Sequence, residues 1–113
     1  MLDKKLQLKE GQTITLVARP ASFTAPLSEA PASSDALLVF AAKEADLLGQ
    51  LSTLQAAAKS GKLTWVAYPK AKQLQTDLNR DIIRDIANQN GLDPVRQIAL
   101  DDTWSALRLK SLQ

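Results

Sequence analysis

Residues 62–83, KLTWVAYPKAKQLQTDLNRDII, hold a strand, a short connection and the start of a helix, and the order of those three decides the fold. Lys62–Pro69 is rich in β-branched and aromatic residues, which suit a pleated strand. Apolar side chains fall on both of its faces, which predicts a central strand covered above and below. Pro69 ends the strand because proline has no N–H to give to a ladder. Thr76 is then the expected N-cap of a helix, with Asp77 in its first turn, where a carboxylate meets the positive end of the helix dipole. Leu78, Ile82, Ile83, Ile86 and Ala87 recur at the spacing of one helical face, and Asn90-Gly91 supplies the stop.

The same alternation extends in both directions. Toward the N-terminus, residues 43–60 predict one helix, with Leu47, Leu48, Leu51, Leu54 and Ala58 on its inner face and Gly61 just past its end. ALLVF, residues 36–40, predicts a short strand buried on both faces, and TITLVA, residues 13–18, a first strand entered through Gly11. Between them, residues 19–35 carry three prolines and five serines or threonines and predict a long connection with one helical turn around Ser22–Leu27. Toward the C-terminus, Asp93-Pro94 punctuates before a strand at Val95–Leu100; DDTW turns the chain, and SALRLK closes it with Leu107 and Leu109 alternating. Strands alternating with helices argue for an α/β domain with a mostly parallel five-stranded sheet and two main helices. The short turn between the last two strands makes them antiparallel. The expected core includes Leu47, Leu51, Leu54, Trp65, Val66, Ile82, Ile83 and Ile86. A chain of 113 residues holds one such core, so residues 1–113 read as a single domain.

Composition removes whole classes of chemistry. The chain has no Cys and no His, so it offers no disulfide, no thiolate nucleophile and no imidazole base or zinc ligand. Fourteen Lys and Arg against twelve Asp and Glu leave a net charge of +2, spread along the sequence without a basic stripe, which argues against nucleic acid as a partner. No apolar run reaches the roughly 20 residues of a membrane helix, and MLDKKLQLKEG lacks the apolar stretch of a secretory leader; the expectation is a cytoplasmic protein without membrane contact.

WVAYPK, TDLNRD and DDTWSALRLK together resemble an uncharacterised bacterial family of Rossmann-like proteins. Its members carry W-V-x-Y-P-K, T-D-(L/I)-x-R-D and D-x-T-W-S-A-L-(K/R) motifs. The likeness runs from about Leu6 to Lys110. Its members often have Ser-Gly where this chain has Gln73-Leu74. The resemblance implies a three-layer Rossmann-like domain and no particular activity, since the family is known as a domain of unknown function. A more distant likeness is to the later half of the class I methyltransferase sheet, whose last strand slots inside its predecessor; carried over, that topology implies a sheet order of 1-2-3-5-4. The methyltransferase cofactor signature is missing, because ARPASF follows the first strand in place of a glycine-rich turn. No cofactor is expected.

Open α/β sheets bind ligands beyond the carboxyl ends of their parallel strands. The residues expected at that edge are Arg19, Lys43, Lys70, Lys72, Thr76 and the Asp101-Asp102-Thr103-Trp104 turn. Lys70 and Lys72 beside a helix starting at Thr76 would attract an anion; the simpler reading leaves both lysines solvated. Asp77, Arg80, Asp81, Arg84 and Asp85 read as a solvated face with pairs worth about 0.3 kcal/mol each; the alternative is that Asp77 and Asp81 hold a cation or a partner's basic group. Asp101-Asp102 reads as a turn former. Trp65 is expected in the core, and Trp104 either covers a sheet face or walls a pocket. Ser105 has no local base and is no nucleophile. The candidate ligand-binding set is therefore Lys70, Lys72, Thr76, Asp77, Asp102 and Trp104, with no catalytic or metal-binding residue. The function it implies is a non-catalytic binding or regulatory module for a small anionic ligand or a protein partner. The alternatives are a His-free enzyme using Lys and Asp on an anionic substrate, and a degenerate methyltransferase-like domain.

Overall fold

A computed structural model describes residues 2–21, 23, 27, 29–30, 34–71 and 73–112. A first helical turn, α1 (Leu2–Lys5), leads to β1 (Ile14–Val17) and β2 (Ala36–Phe40). Helices α2 (Glu44–Gly49) and α3 (Leu51–Lys59) follow, then β3 (Leu63–Pro69), α4 (Arg80–Gln89), β4 (Leu92–Ala99) and β5 (Trp104–Ser111). The five strands form one mixed sheet in the order β1-β2-β3-β5-β4. β1, β2 and β3 pair in parallel, whereas β5 is antiparallel to both β3 and β4. The expected strand order, the central place of β3 and the reversed last strand are all present. No helix among the described residues is long and apolar enough to cross a membrane.

The alternation of side chains along the strands divides the core in two. Leu37, Val39, Val66, Tyr68, Leu107 and Leu109 face the helices and pack with Leu47, Leu54, Ala57, Leu78, Ile83 and Ala87. Ala36, Leu38, Phe40, Trp65, Ala67 and Ala106 face the other way and meet Leu6, Leu8, Phe23, Leu100 and Trp104. Helices α2 to α4 contribute buried residues only to the first group. The second is closed by the N-terminal segment, tied down where Trp65 Nε1 donates to the Leu6 carbonyl at 3.2 Å. It is closed further by an aromatic row in which Phe40 lies 5.0 Å from Phe23 and 5.1 Å from Trp104, centroid to centroid.

Four expectations need correction. The helix over 43–60 is broken at Gln50, whose φ of −109° and ψ of 5° end α2 and begin α3. The break shifts the helical phase, so Leu48 is 51% exposed and Leu51 only half-buried, while Leu47 and Leu54 stay inside. The last helix starts at Arg80, capped by Asn79, whose Oδ1 accepts the Ile82 N–H at 2.9 Å. Thr76 caps only a preceding turn, its Oγ1 accepting the Leu78 N–H at 3.0 Å. β4 starts at Leu92 and runs through Asp93-Pro94 instead of beginning after it. It tolerates the proline because it is an edge strand with a register irregularity between Pro94 and Arg96. Finally, Leu6 and Leu8, which lie outside every element and core position expected from the sequence, are core residues. The helical turn expected at Ser22–Leu27 falls largely outside the described residues.

Candidate functional site

The connection from Pro69 to Asn79 crosses the carboxyl edge of the sheet and is pinned there. Lys70 N–H donates to the Thr103 carbonyl at 2.7 Å, and Gln73 Nε2 to the Asp102 carbonyl at 3.0 Å. The opposing turn is held by Asp101, whose Oδ1 accepts the N–H groups of Thr103 (2.8 Å) and Trp104 (2.7 Å), so of the acidic pair Asp101 acts as the turn former. Within the connection Leu74 takes φ of 53° and ψ of 28°, left-handed values that a side chain makes costly and glycine does not.

Of the candidate set, this geometry brings together Lys70, Asp102 and Trp104. Thr76 and Asp77 serve other ends: Asp77 Oδ1 accepts the Glu44 N–H at 2.7 Å and so covers the positive start of α2, beside Asp46, whose Oδ2 accepts from Ala42 and Lys43. Lys72 lies outside the described residues. Arg19 is engaged by Glu29 at 2.6 Å, and Lys43 is exposed. Arg84 lies 3.6 Å from Asp81 and 3.9 Å from Asp85, the exposed pairs expected of a solvated helix face.

The connection separates two clefts. One, of about 460 Å³, opens over the ends of β1 and β2 and is lined by Ala18, Phe40, Ala45, Leu74 and Trp104 among others. The second, of about 470 Å³, opens between the end of β3 and the start of α4 and is more polar than the first: Tyr68, Lys70, Asn79, Arg80, Asp81, Gln97 and Ser105 line it beside the apolar Pro69, Ala71 and Leu78. Tyr68 and Ser105 stand directly opposite each other across β3 and β5. Gln97 Nε2 donates to the Tyr68 hydroxyl at 3.0 Å, and Arg80 Nη1 donates to Gln97 Oε1 at 3.2 Å. Burial raises the Tyr68 pKa above 10.0, against the smaller opposing effects of the Arg80 charge and a hydrogen bond with Ser105. The phenol therefore keeps its proton at neutral pH and is a donor, not a base.

At the opposite, amino edge, Lys59, Lys62, Arg108 and Lys110 line a third cleft of about 340 Å³. These cations are scattered in sequence and are gathered by the pairing of β3 with β5. No group of three or more acidic, Cys or His side chains among the described residues is placed to hold a metal ion.

The sequence reading missed Tyr68, Arg80, Gln97 and Ser105 as site residues. The signal available was a tyrosine near the end of a mostly apolar strand and a serine near the start of the last one; their juxtaposition depends on the β3/β5 register. No family model matches this chain, and neither does any curated protein.

Proposed function

We propose that this chain is a non-catalytic binding module of Rossmann-like type that recognises the anionic group of a small ligand at the carboxyl end of β3. The observation that carries the reading is the polar cleft itself. It combines two cations, Lys70 and Arg80, with a phenol held protonated by burial and a serine hydroxyl across the strand pair, against one carboxylate, Asp81, which Arg84 engages at 3.6 Å. A phosphate or carboxylate there meets charge-assisted donors, which are stronger than neutral ones. A protonated phenol can donate a hydrogen bond to such a group, which supports the binding reading. The three-layer description belongs to this proposal, with the N-terminal segment of Leu6 and Leu8 standing as the layer opposite the helices. So does a cytoplasmic setting, in keeping with a chain free of cysteine.

The test is a titration of inorganic phosphate against isotopically labelled protein, followed by backbone, guanidinium and side-chain amide shifts. Lys70, Arg80 and Gln97 should respond at millimolar concentrations, and the affinity should fall as salt screens the charges. A response confined to Lys59, Lys62, Arg108 and Lys110, or none at all, would overturn the assignment.

A further inference from the structure

The basic cleft at the amino edge of the sheet is not used by the small-anion reading. We propose that it docks an extended acidic segment of a partner protein, with carboxylates at alternate positions. Lys59, Lys62, Arg108 and Lys110 line the cleft, and no carboxylate does. None of the four forms an ion pair with a described residue. Asp93 stands opposite Lys110 in the β4/β5 register, yet the two form no ion pair.

The local fold does not occupy the lysines either. Basic side chains at a helix end can serve its last carbonyls. At the end of α3 backbone groups already do so: the N–H groups of Ser60, Gly61 and Lys62 donate to the carbonyls of Ala56, Ala58 and Ala57, each at 3.1 Å. Arg108 differs, since its Nη1 donates to Gln7 Oε1 at 2.6 Å and its Nε is shut away from solvent. Arg108 therefore contributes charge, while the exposed Lys59 and Lys110 and the half-buried Lys62 supply the ammonium donors. Arg96, also exposed, stands directly opposite Arg108 across β4 and β5. Like charges so placed destabilise a sheet, and an anionic partner offsets that repulsion.

Spacing and composition select the partner. Arg108 and Lys110 alternate along β5 and so share a face, about 7 Å apart. Acidic side chains at alternate positions of an extended peptide repeat at that same distance. The aromatic side chains, Phe23, Phe40, Trp65, Tyr68 and Trp104, are all buried. The surface thus offers no ring on which the bases of a nucleic-acid strand could stack.

The probes are a short end-blocked peptide alternating Glu and Ser, the same peptide with Gln in place of Glu, and a uridine oligonucleotide of equal charge. Each is titrated at low salt against nitrogen-labelled protein. The Glu peptide should move the amide signals of residues 58–62 and 108–111 at millimolar concentration, and the Gln peptide should leave them in place. Lys59→Gln combined with Lys110→Gln should weaken the Glu peptide about tenfold. Lys4→Gln combined with Lys5→Gln removes the same charge from exposed positions of α1 and should change the affinity by less than about twofold. Silence of residues 58–62 and 108–111, equal affinities for the two peptides, equal losses in the two double variants, or tighter binding of the oligonucleotide to these residues would each overturn the proposal.

Discussion

The two faces of the sheet are closed by different means. On one, amphipathic helices bring Leu54, Ile83 and Ala87 down at helical spacing. On the other, an irregular N-terminal segment, Phe23 and the start of β5 supply Leu6, Leu8 and Trp104 without any period. Equal burial is thus reached from a repeating pattern on one side and from single anchors on the other. The clefts follow the same division: the polar one borders the helix-facing Tyr68, the apolar one the opposite-facing Phe40 and Trp104.

Truncating one large residue on each face tests whether both belong to a single cooperative core. Trp65→Ala should destabilise by about 3–5 kcal/mol, and Ile83→Ala by about 2–5 kcal/mol, since both are fully buried. Denaturant unfolding should remain one transition in each variant. A separate early transition in Trp65→Ala would show that the N-terminal face folds on its own terms.

A smaller contrast lies within the helical face. Leu54→Ala should cost about 2–5 kcal/mol, whereas Leu51→Ala, half-buried beside the break at Gln50, should cost distinctly less. Equal losses would restore the continuous helix that the leucine spacing suggests. At the start of α4, Asn79→Ala should cost about 1 kcal/mol and Thr76→Ala less, because only Asn79 caps the helix.

The smallest effect is a pH dependence. The folded Tyr68 pKa lies above the unfolded value of 10.0, so its contribution to stability is complete below that pH. As pH rises past it, the unfolded phenol ionises first and stability falls. Tyr68→Phe should flatten this part of the alkaline stability profile; an unchanged slope would mean the phenol is not held in its neutral form.

These contrasts also show what could be read in the residues alone. The leucine and isoleucine spacing found the helices, and KLTWVAYP found the central strand, because burial on two faces leaves a continuous apolar run. The helix break was hidden, since Gly49-Gln50 is compatible with a continued helix. TDLNRD offers two caps three residues apart, Thr76 and Asn79, and local propensity does not choose between them. Leu6 and Leu8 carry no period that would mark a lid. The polar cleft was legible only in Lys70: Tyr68 meets Ser105 through strand register, and Arg80 reaches the cleft because the helix starts three residues later than a cap at Thr76 suggests.

The most direct test of anion recognition at the carboxyl edge removes one positive charge from each end of the sheet and compares phosphate affinities. Arg80→Gln and Lys110→Gln change the net charge equally, so any general electrostatic attraction falls alike in both. Arg80→Gln should weaken phosphate binding about tenfold, the loss of one charge-assisted hydrogen bond, while Lys110→Gln should stay within about twofold of the parent. Equal losses in the two variants, or the larger loss in Lys110→Gln, would contradict the assignment of the site to the end of β3.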